Sequence, residues 1–234
     1  MESGYKGSVK PVWRSVLFKT IVAVVALVFL FVSPVQADFA YKFDTVFSGT
    51  VQPSGGLPWL TATFENTGEK DQVTLTLTAS NLAGTEFVSN WFFNYNYQGP
   101  STLAITQGEG TAPLAINPFA TLGRYKADGT GGWFDLTFAF PTEGADRFTN
   151  GEYAIFTITG SGLTADMFRA QSWDSKTGGE RSVLYAAAHI QSIGSESAWV
   201  TTGTGTSNVP IPAAAWLLGS GLLGLVVIRK RRTT

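Results

Sequence analysis

The chain of 234 residues has no cysteine, one histidine and two methionines, and only 14% of its residues are charged, against about 25% in a typical soluble domain. Without cysteine there is no disulfide, thiol nucleophile or cysteinyl zinc site. One histidine excludes a His-pair metal site, and no cofactor is expected. So few charges exclude both a disordered acidic tail and a nucleic-acid-binding chain. No Gly-x-Ser-x-Gly hydrolase motif, no internal repeat and no long amphipathic helical pattern occur between the two ends. What the chain does have is 26 glycines and 10 prolines among many serines and threonines, a turn-rich composition that predicts an all-β protein.

The net charge of −1 hides three segments of different sign. Residues 1–37 carry Lys6, Lys10, Arg14 and Lys19 against Glu2, and the last six residues carry Arg229, Lys230, Arg231 and Arg232 with no acid. The intervening segment keeps eight basic and sixteen acidic residues. An acidic body repels phosphate backbones and anionic headgroups, so neither a nucleic acid nor a lipid surface is expected as its partner.

Both ends read as membrane signals. Ile21 to Val32 is an unbroken run of twelve apolar residues behind four basic ones, and Val35-Gln36-Ala37 places small residues where signal peptidase reads them. Twelve helical residues span about 18 Å, short of the roughly 30 Å hydrocarbon core. Residues 1–37 are therefore expected to be a signal peptide cut between Ala37 and Asp38; the other reading is an uncleaved anchor lengthened by Val16 to Phe18. At the far end, Val209-Pro210-Ile211-Pro212-Ala213 leads into an apolar stretch to Ile228, about 24 Å long as a helix, which Arg229, Lys230, Arg231 and Arg232 stop. Pro212 suits a first helical turn, and Gly219, Ser220, Gly221 and Gly224 would let another helix approach closely. Basic residues stay cytoplasmic, which leaves the body on the other side of the inner membrane.

Short motif, apolar helix and basic cluster in that order, over Val209 to Arg232, resemble the PEP-CTERM sorting signal of Gram-negative bacteria, in its Val-Pro-Leu-Pro-Ala variant. The chain has Ile211 where that variant has leucine and the main motif has glutamate. The resemblance implies recognition by an exosortase, a polytopic membrane enzyme that uses a cysteine to cleave near the motif, and an association with exopolysaccharide export. A plain tail anchor is the alternative, and removal or retention of the C-terminal helix stays open.

Between the signals the expected body is 38–200, a single antiparallel β-sandwich, jelly-roll or immunoglobulin-like, with 201–208 as a flexible tether to the sorting segment 209–234. Val73, Leu75, Leu77 and Ala79 alternate with threonines, and Phe134, Leu136, Phe138 and Phe140 alternate with Asp135, Thr137 and Ala139, each pattern predicting a strand with one buried face and one wet face. Tyr41–Thr50, Trp59–Glu65, Phe87–Tyr97, Leu103–Gln107, Tyr153–Thr159, Val183–Ile193 and Ala198–Thr201 complete about nine strands, and Thr164 is placed to cap a helical turn ending at Phe168. The body is also similar to PEP-CTERM proteins that pair a Phe-Asp-Thr start, here Phe43-Asp44-Thr45, with an Ala-Ala-His-Ile/Val-Gln strand, here Ala187-Ala188-His189-Ile190-Gln191. That resemblance bears on the fold and implies no activity.

Three features carry candidate chemistry. In the run Asn90 to Tyr97, strand geometry puts Trp91, Phe93, Tyr95 and Tyr97 on one face, so Trp91, Tyr95 and Tyr97 could stack on sugar rings or pack in the core. His189 has no second histidine or cysteine to join it and reads as structural. Lys126 to Gly132 lacks the alternating acids of a calcium loop and reads as a hairpin connection. Together these point to an exported, non-enzymatic protein of the cell surface or extracellular matrix. Signal peptidase, an exosortase-type enzyme and exopolysaccharide are its expected partners, and the inner membrane holds it transiently. The alternatives are a carbohydrate-binding module for the exported polysaccharide and, third, a secreted glycoside hydrolase.

Overall fold

In the computed structural model the described residues are 39–96, 102–118, 125–128, 132–175, 178–181 and 184–203. They form β1 (Phe39–Ser48), β2 (Leu60–Asn66), β3 (Gln72–Ala79), β4 (Phe87–Phe93), β5 (Ala104–Gly110), β6 (Ala115–Asn117), β7 (Tyr125–Lys126), β8 (Trp133–Phe134), β9 (Leu136–Ala139), β10 (Phe148–Thr149), β11 (Tyr153–Thr159), β12 (Trp173–Ser175), β13 (Gly178–Arg181), β14 (Ala186–Ile193) and β15 (Glu196–Thr202), with one 3₁₀ turn at Ala165–Phe168. The protein is all-β. The expected signal peptide with Val35, Ala37 and Asp38, the motif Val209 to Ala213, the apolar C-terminal stretch, the cluster Arg229 to Arg232, and Tyr97 lie outside the described residues.

One antiparallel sheet runs in the order β5-β11-β3-β2-β1-β15-β14-β4-β9-β6, with β10 branching from β4. It curls until its walls face each other. Phe64 of β2 meets Phe93 of β4 edge-on at 5.3 Å, and Phe138 of β9 lies 4.6 Å from Phe156 of β11. The two end strands, β5 and β6, are consecutive in sequence. Between them, Thr111 N–H donates to the Tyr153 carbonyl at 2.8 Å and Leu114 N–H to the Ala139 carbonyl at 2.7 Å, so one short crossing ties both edges of the seam. Alternation sends Phe39, Tyr41 and Phe43, Leu60, Ala62 and Phe64, and Val73, Leu75 and Leu77 inward. The threonines between them form a cross-strand row on the outside, Thr61 opposite Thr78 and Thr63 opposite Thr76.

A second sheet, β13-β12-β8-β7, lies beyond the outer face of the first. Phe134, Ala127 and the half-buried Tyr125 from this sheet's neighbourhood pack with Phe92, Ala187, Phe47 and Trp199 from the outer face of the large sheet. This layer changes the expected pattern at Phe134 to Phe140. The run is split between the two sheets, with Phe134 in the outer cluster and Leu136, Phe138 and Phe140 in the main core. Asp135 and Thr137 are buried rather than wet, and the Asp135 carboxylate accepts from Tyr95 N–H at 3.0 Å and Trp173 Nε1–H at 2.9 Å. β7 and β8 pair antiparallel, as expected for a hairpin across Lys126 to Gly132.

Two other expectations change. Thr164 makes no side-chain cap; the amide oxygen of Asn66, from the end of β2, accepts from Ala165 N–H at 3.0 Å instead. Thr201 and Thr202, assigned above to the tether, are buried strand residues opposite Thr45 and Phe43, because β15 must run that far to complete its pairing with β1. The chain is held there by Asp44, whose carboxylate accepts from Gly203 N–H at 3.0 Å and from the Thr45 hydroxyl at 2.9 Å.

Two substitutions test this packing. Trp91 has no exposed surface and its indole N–H has no partner among the described residues, so it acts by volume. Trp91→Ala should lose about 3–5 kcal/mol in denaturant unfolding, and Trp91→Phe clearly less. Gly55 sits so close to the chain at Asn81 that a Cβ would collide with the Asn81 carbonyl oxygen. Gly55→Ala should therefore cost about 1–3 kcal/mol or more; an unchanged melting temperature would show that the 51–59 loop is free to move away.

Candidate functional site

Trp91 and Tyr95 do not form a binding row. Both are fully buried, Trp91 edge-on to Phe43 at 5.2 Å and Tyr95 against Phe168 at 5.5 Å, so no sugar ring can reach them in the folded protein. Of the two readings of this run, packing in the core is the one that holds for Trp91 and Tyr95, and a sugar contact through these two is corrected; Tyr97 lies outside the described residues. The alternation is real, but it points this face into the core of a curled sheet.

A different set of side chains meets on the outside, where both motif segments of the body converge. Phe43 and Thr45 on β1 pair with Thr202 and Thr201 on β15, and Ala187 on β14 pairs with that same Thr201 from the other side. Ala188 and Ile190 face the core. His189 and Gln191 face out.

His189 lies flat on Trp199 of β15, with ring centroids 4.4 Å apart and planes 13° from parallel. The register explains the contact, since His189 and Trp199 are directly opposed across the hairpin. Phe92 abuts Trp199 at 5.5 Å, fixing the indole from below. The Ser89 hydroxyl is 3.0 Å from His189 Nδ1, and Gln191 Nε2 is 3.4 Å from the same atom. An amide nitrogen can only donate, so Nδ1 is assigned as the acceptor and the ring proton to Nε2.

Two irregularities aim these groups. Between β14 and β4 the register skips Ser89, His189 facing Asn90 and Ile190 facing Val88. Between β14 and β15 it skips Ser192, which has φ +60°, a left-handed value that a serine adopts at a cost. Bulges of this kind redirect side chains at the rims of sheets. Here they border an open groove of about 480 Å³ lined by His189, Gln191, Ser192, Ser195, Glu196 and Ser197.

A serine beside a histidine resembles a nucleophile and its base, but this pair is built differently. Ser89 is 2% exposed, beneath the imidazole, and is not part of the groove wall, so a carbonyl carbon has no path to its hydroxyl. Among the described residues no group of three His, Asp or Glu side chains is arranged to hold a metal ion. The groove can donate and accept hydrogen bonds, and it carries the Glu196 carboxylate with no Lys or Arg in its wall among the described residues.

Of these residues, the sequence had marked His189 and Gln191 as part of a strand motif. Trp199, Ser89 and Glu196 were not marked. The Gly194-Ser195 pair between two strand-like runs was the available signal, because a two-residue hairpin there would have set His189 opposite Trp199. Compared with protein-family models, curated proteins and solved structures, the chain matches none.

Burial holds the His189 imidazole below its usual pKa of 6.5, with the Asp128 carboxylate opposing the shift. Asp128 is itself fixed by the Ser48 hydroxyl at 3.0 Å. In the unfolded chain the ring protonates near pH 6.5, while the folded chain resists the proton, so stability should fall as pH drops through 6.5 and gain nothing from this group above it. His189→Gln should flatten that part of the curve. Melting temperatures of both proteins from about pH 8 to about pH 5 check this; parallel curves would show that His189 does not titrate in this window.

Proposed function

We propose that the chain is an exported, non-enzymatic protein of the cell surface or extracellular matrix, sorted by a PEP-CTERM/exosortase-type system and associated with exopolysaccharide. The observation that carries this reading is the order of elements at the C-terminus: Val209 to Ala213, the apolar stretch to Ile228, then Arg229, Lys230, Arg231 and Arg232. The signal peptide ending at Ala37 delivers the body across the inner membrane, and the C-terminal helix holds it there until an exosortase-type enzyme acts near the motif. The acidic body between the two basic ends is consistent with this topology, since it would not bind anionic headgroups.

In this reading the body is a β-sandwich, jelly-roll or immunoglobulin-like, flanked by the signal peptide and the C-terminal transmembrane sorting helix. The facing aromatic walls of the curled sheet support the sandwich geometry. Residues 201–203 belong to the folded body, since Thr201 and Thr202 pair with β1 and Asp44 ties Gly203 to it. A carbohydrate-binding module is the second reading. Its support passes from the buried Trp91 and Tyr95 to the groove beside His189.

The basic cluster offers the decisive test. Each Lys or Arg costs about 2.5–3.5 kcal/mol at the centre of a membrane helix, so four together should stall translocation. With Arg229, Lys230, Arg231 and Arg232 all replaced by Ser, the protein should reach the periplasm uncut at its C-terminus, whereas wild type should appear outside the cell shortened at both ends. Intact mass spectrometry of the two fractions distinguishes them. A variant that is trimmed and exported like wild type removes the cluster from the sorting signal.

A further inference from the structure

We infer that the groove at the β14–β15 hairpin is a binding site for a neutral saccharide segment, held by His189, Gln191, Glu196 and Ser197. Its volume of about 480 Å³ falls within the roughly 300–1,000 Å³ of sites that take small ligands. What distinguishes it from an ordinary surface depression is how firmly its wall is set. His189 cannot swing, because Trp199 lies under its face and Ser89 and Gln191 hold Nδ1. Trp199 is in turn backed by Phe92. A ligand would meet an already ordered imidazole and would not have to fix a loose side chain, which lowers the entropy lost on binding.

The ligand class follows from the polar groups. A neutral imidazole presents Nε2–H as a donor. The Gln191 carbonyl and the Glu196 carboxylate accept, and serine hydroxyls do both. A vicinal diol needs this mixture, since each hydroxyl gives one proton and receives others. An anionic sugar or a phosphate is disfavoured: among the described residues no Lys or Arg lines the groove, Glu196 is in its wall, and Asp128 acts on His189 from nearby. The left-handed Ser192 lies in the bulge that redirects this rim of the hairpin. This assignment rests on the carbohydrate-binding reading and is independent of the sorting one, since an unprocessed chain would carry the same groove.

The test is calorimetric titration of the full chain in detergent with neutral hexasaccharides of glucose, galactose, mannose and N-acetylglucosamine, and with a hexamer of uronic acid. At least one neutral oligosaccharide should bind, about tenfold or more tighter than the uronate, as expected where a like charge opposes the ligand. Gln191→Ala and Glu196→Ala should each weaken that binding about three- to tenfold, the loss expected for one hydrogen bond, with an unchanged far-ultraviolet circular dichroism spectrum. Trp91→Phe, altered only in the core, should bind as wild type does. Failure of every neutral probe overturns the assignment. So does a uronate that binds as tightly, or binding that neither groove variant weakens. Mass spectrometry of exported protein reports on sorting alone, so the two readings can fail separately.

Discussion

The ring of Phe64 touches four others: Phe39 stacked at 5.2 Å, Tyr41 edge-on at 6.2 Å, Phe93 edge-on at 5.3 Å and Phe168 stacked at 4.6 Å. These partners come from β1, the opposite wall at β4 and the 3₁₀ turn, and with no disulfide available they are what hold the curled sheet closed. A sheet that bends back on itself must fill the space it encloses, and aromatic side chains do so with few residues. Polar anchoring follows the same centre. The Tyr41 hydroxyl donates to the Phe168 carbonyl at 2.8 Å inside the core, and burial pushes its phenol well above its ordinary pKa. A phenol so placed stays neutral, so the core carries a hydrogen bond without carrying a charge.

Away from that centre, buried carboxylates join segments that β-pairing alone would leave loose. Asp135 receives an amide from beyond β4 and an indole from β12, binding the small sheet to the large one. Glu86, 3% exposed, accepts from Ser54 N–H and Ala83 N–H, both at 2.8 Å, and so fastens the loop before β2 to the turn before β4. A carboxylate accepting backbone N–H groups satisfies donors that no strand reaches, and hydrogen bonds to charged groups are among the stronger ones in a folded chain.

The candidate groove depends on this framework at one remove. The core fixes Ala188 and Ile190, and pairing to β15 fixes Trp199, so His189 and Gln191 have little choice of direction. The two bulges then turn the rim outward. The proposed saccharide site differs from an aromatic platform: its aromatic ring, Trp199, supports a histidine, and hydrogen-bonding groups line the groove.

Much of the strand pattern was legible in the sequence because period-2 alternation records burial directly, as in Val73 to Ala79, where inward Val, Leu and Ala and outward Thr match the structure residue by residue. The turns at Gly68, Gly84 and Gly151 were legible too, since each needs a positive φ. Alternation could not say which face was inside once a second layer was added. Phe134 and Asp135 look like one more inward–outward pair, yet both are buried, because Phe134 belongs to the small sheet that packs on the outer face and Asp135 is enclosed between Tyr95 and Trp173. Ring chemistry alone left Trp91 and Tyr95 suited to a platform or a core; alternation favoured the core for Trp91, and burial shows it for both. Which strands become neighbours is decided by pairings across the whole chain, and these brought the Phe43 and His189 motifs to either side of β15 and set Trp199 beneath an imidazole. The reading proposed for the charges and apolar runs at the two ends rests on composition alone, since length, hydropathy and charge are properties of the sequence that need no fold. A groove exists only when two strands and two bulges come together, so only the tertiary structure could decide it.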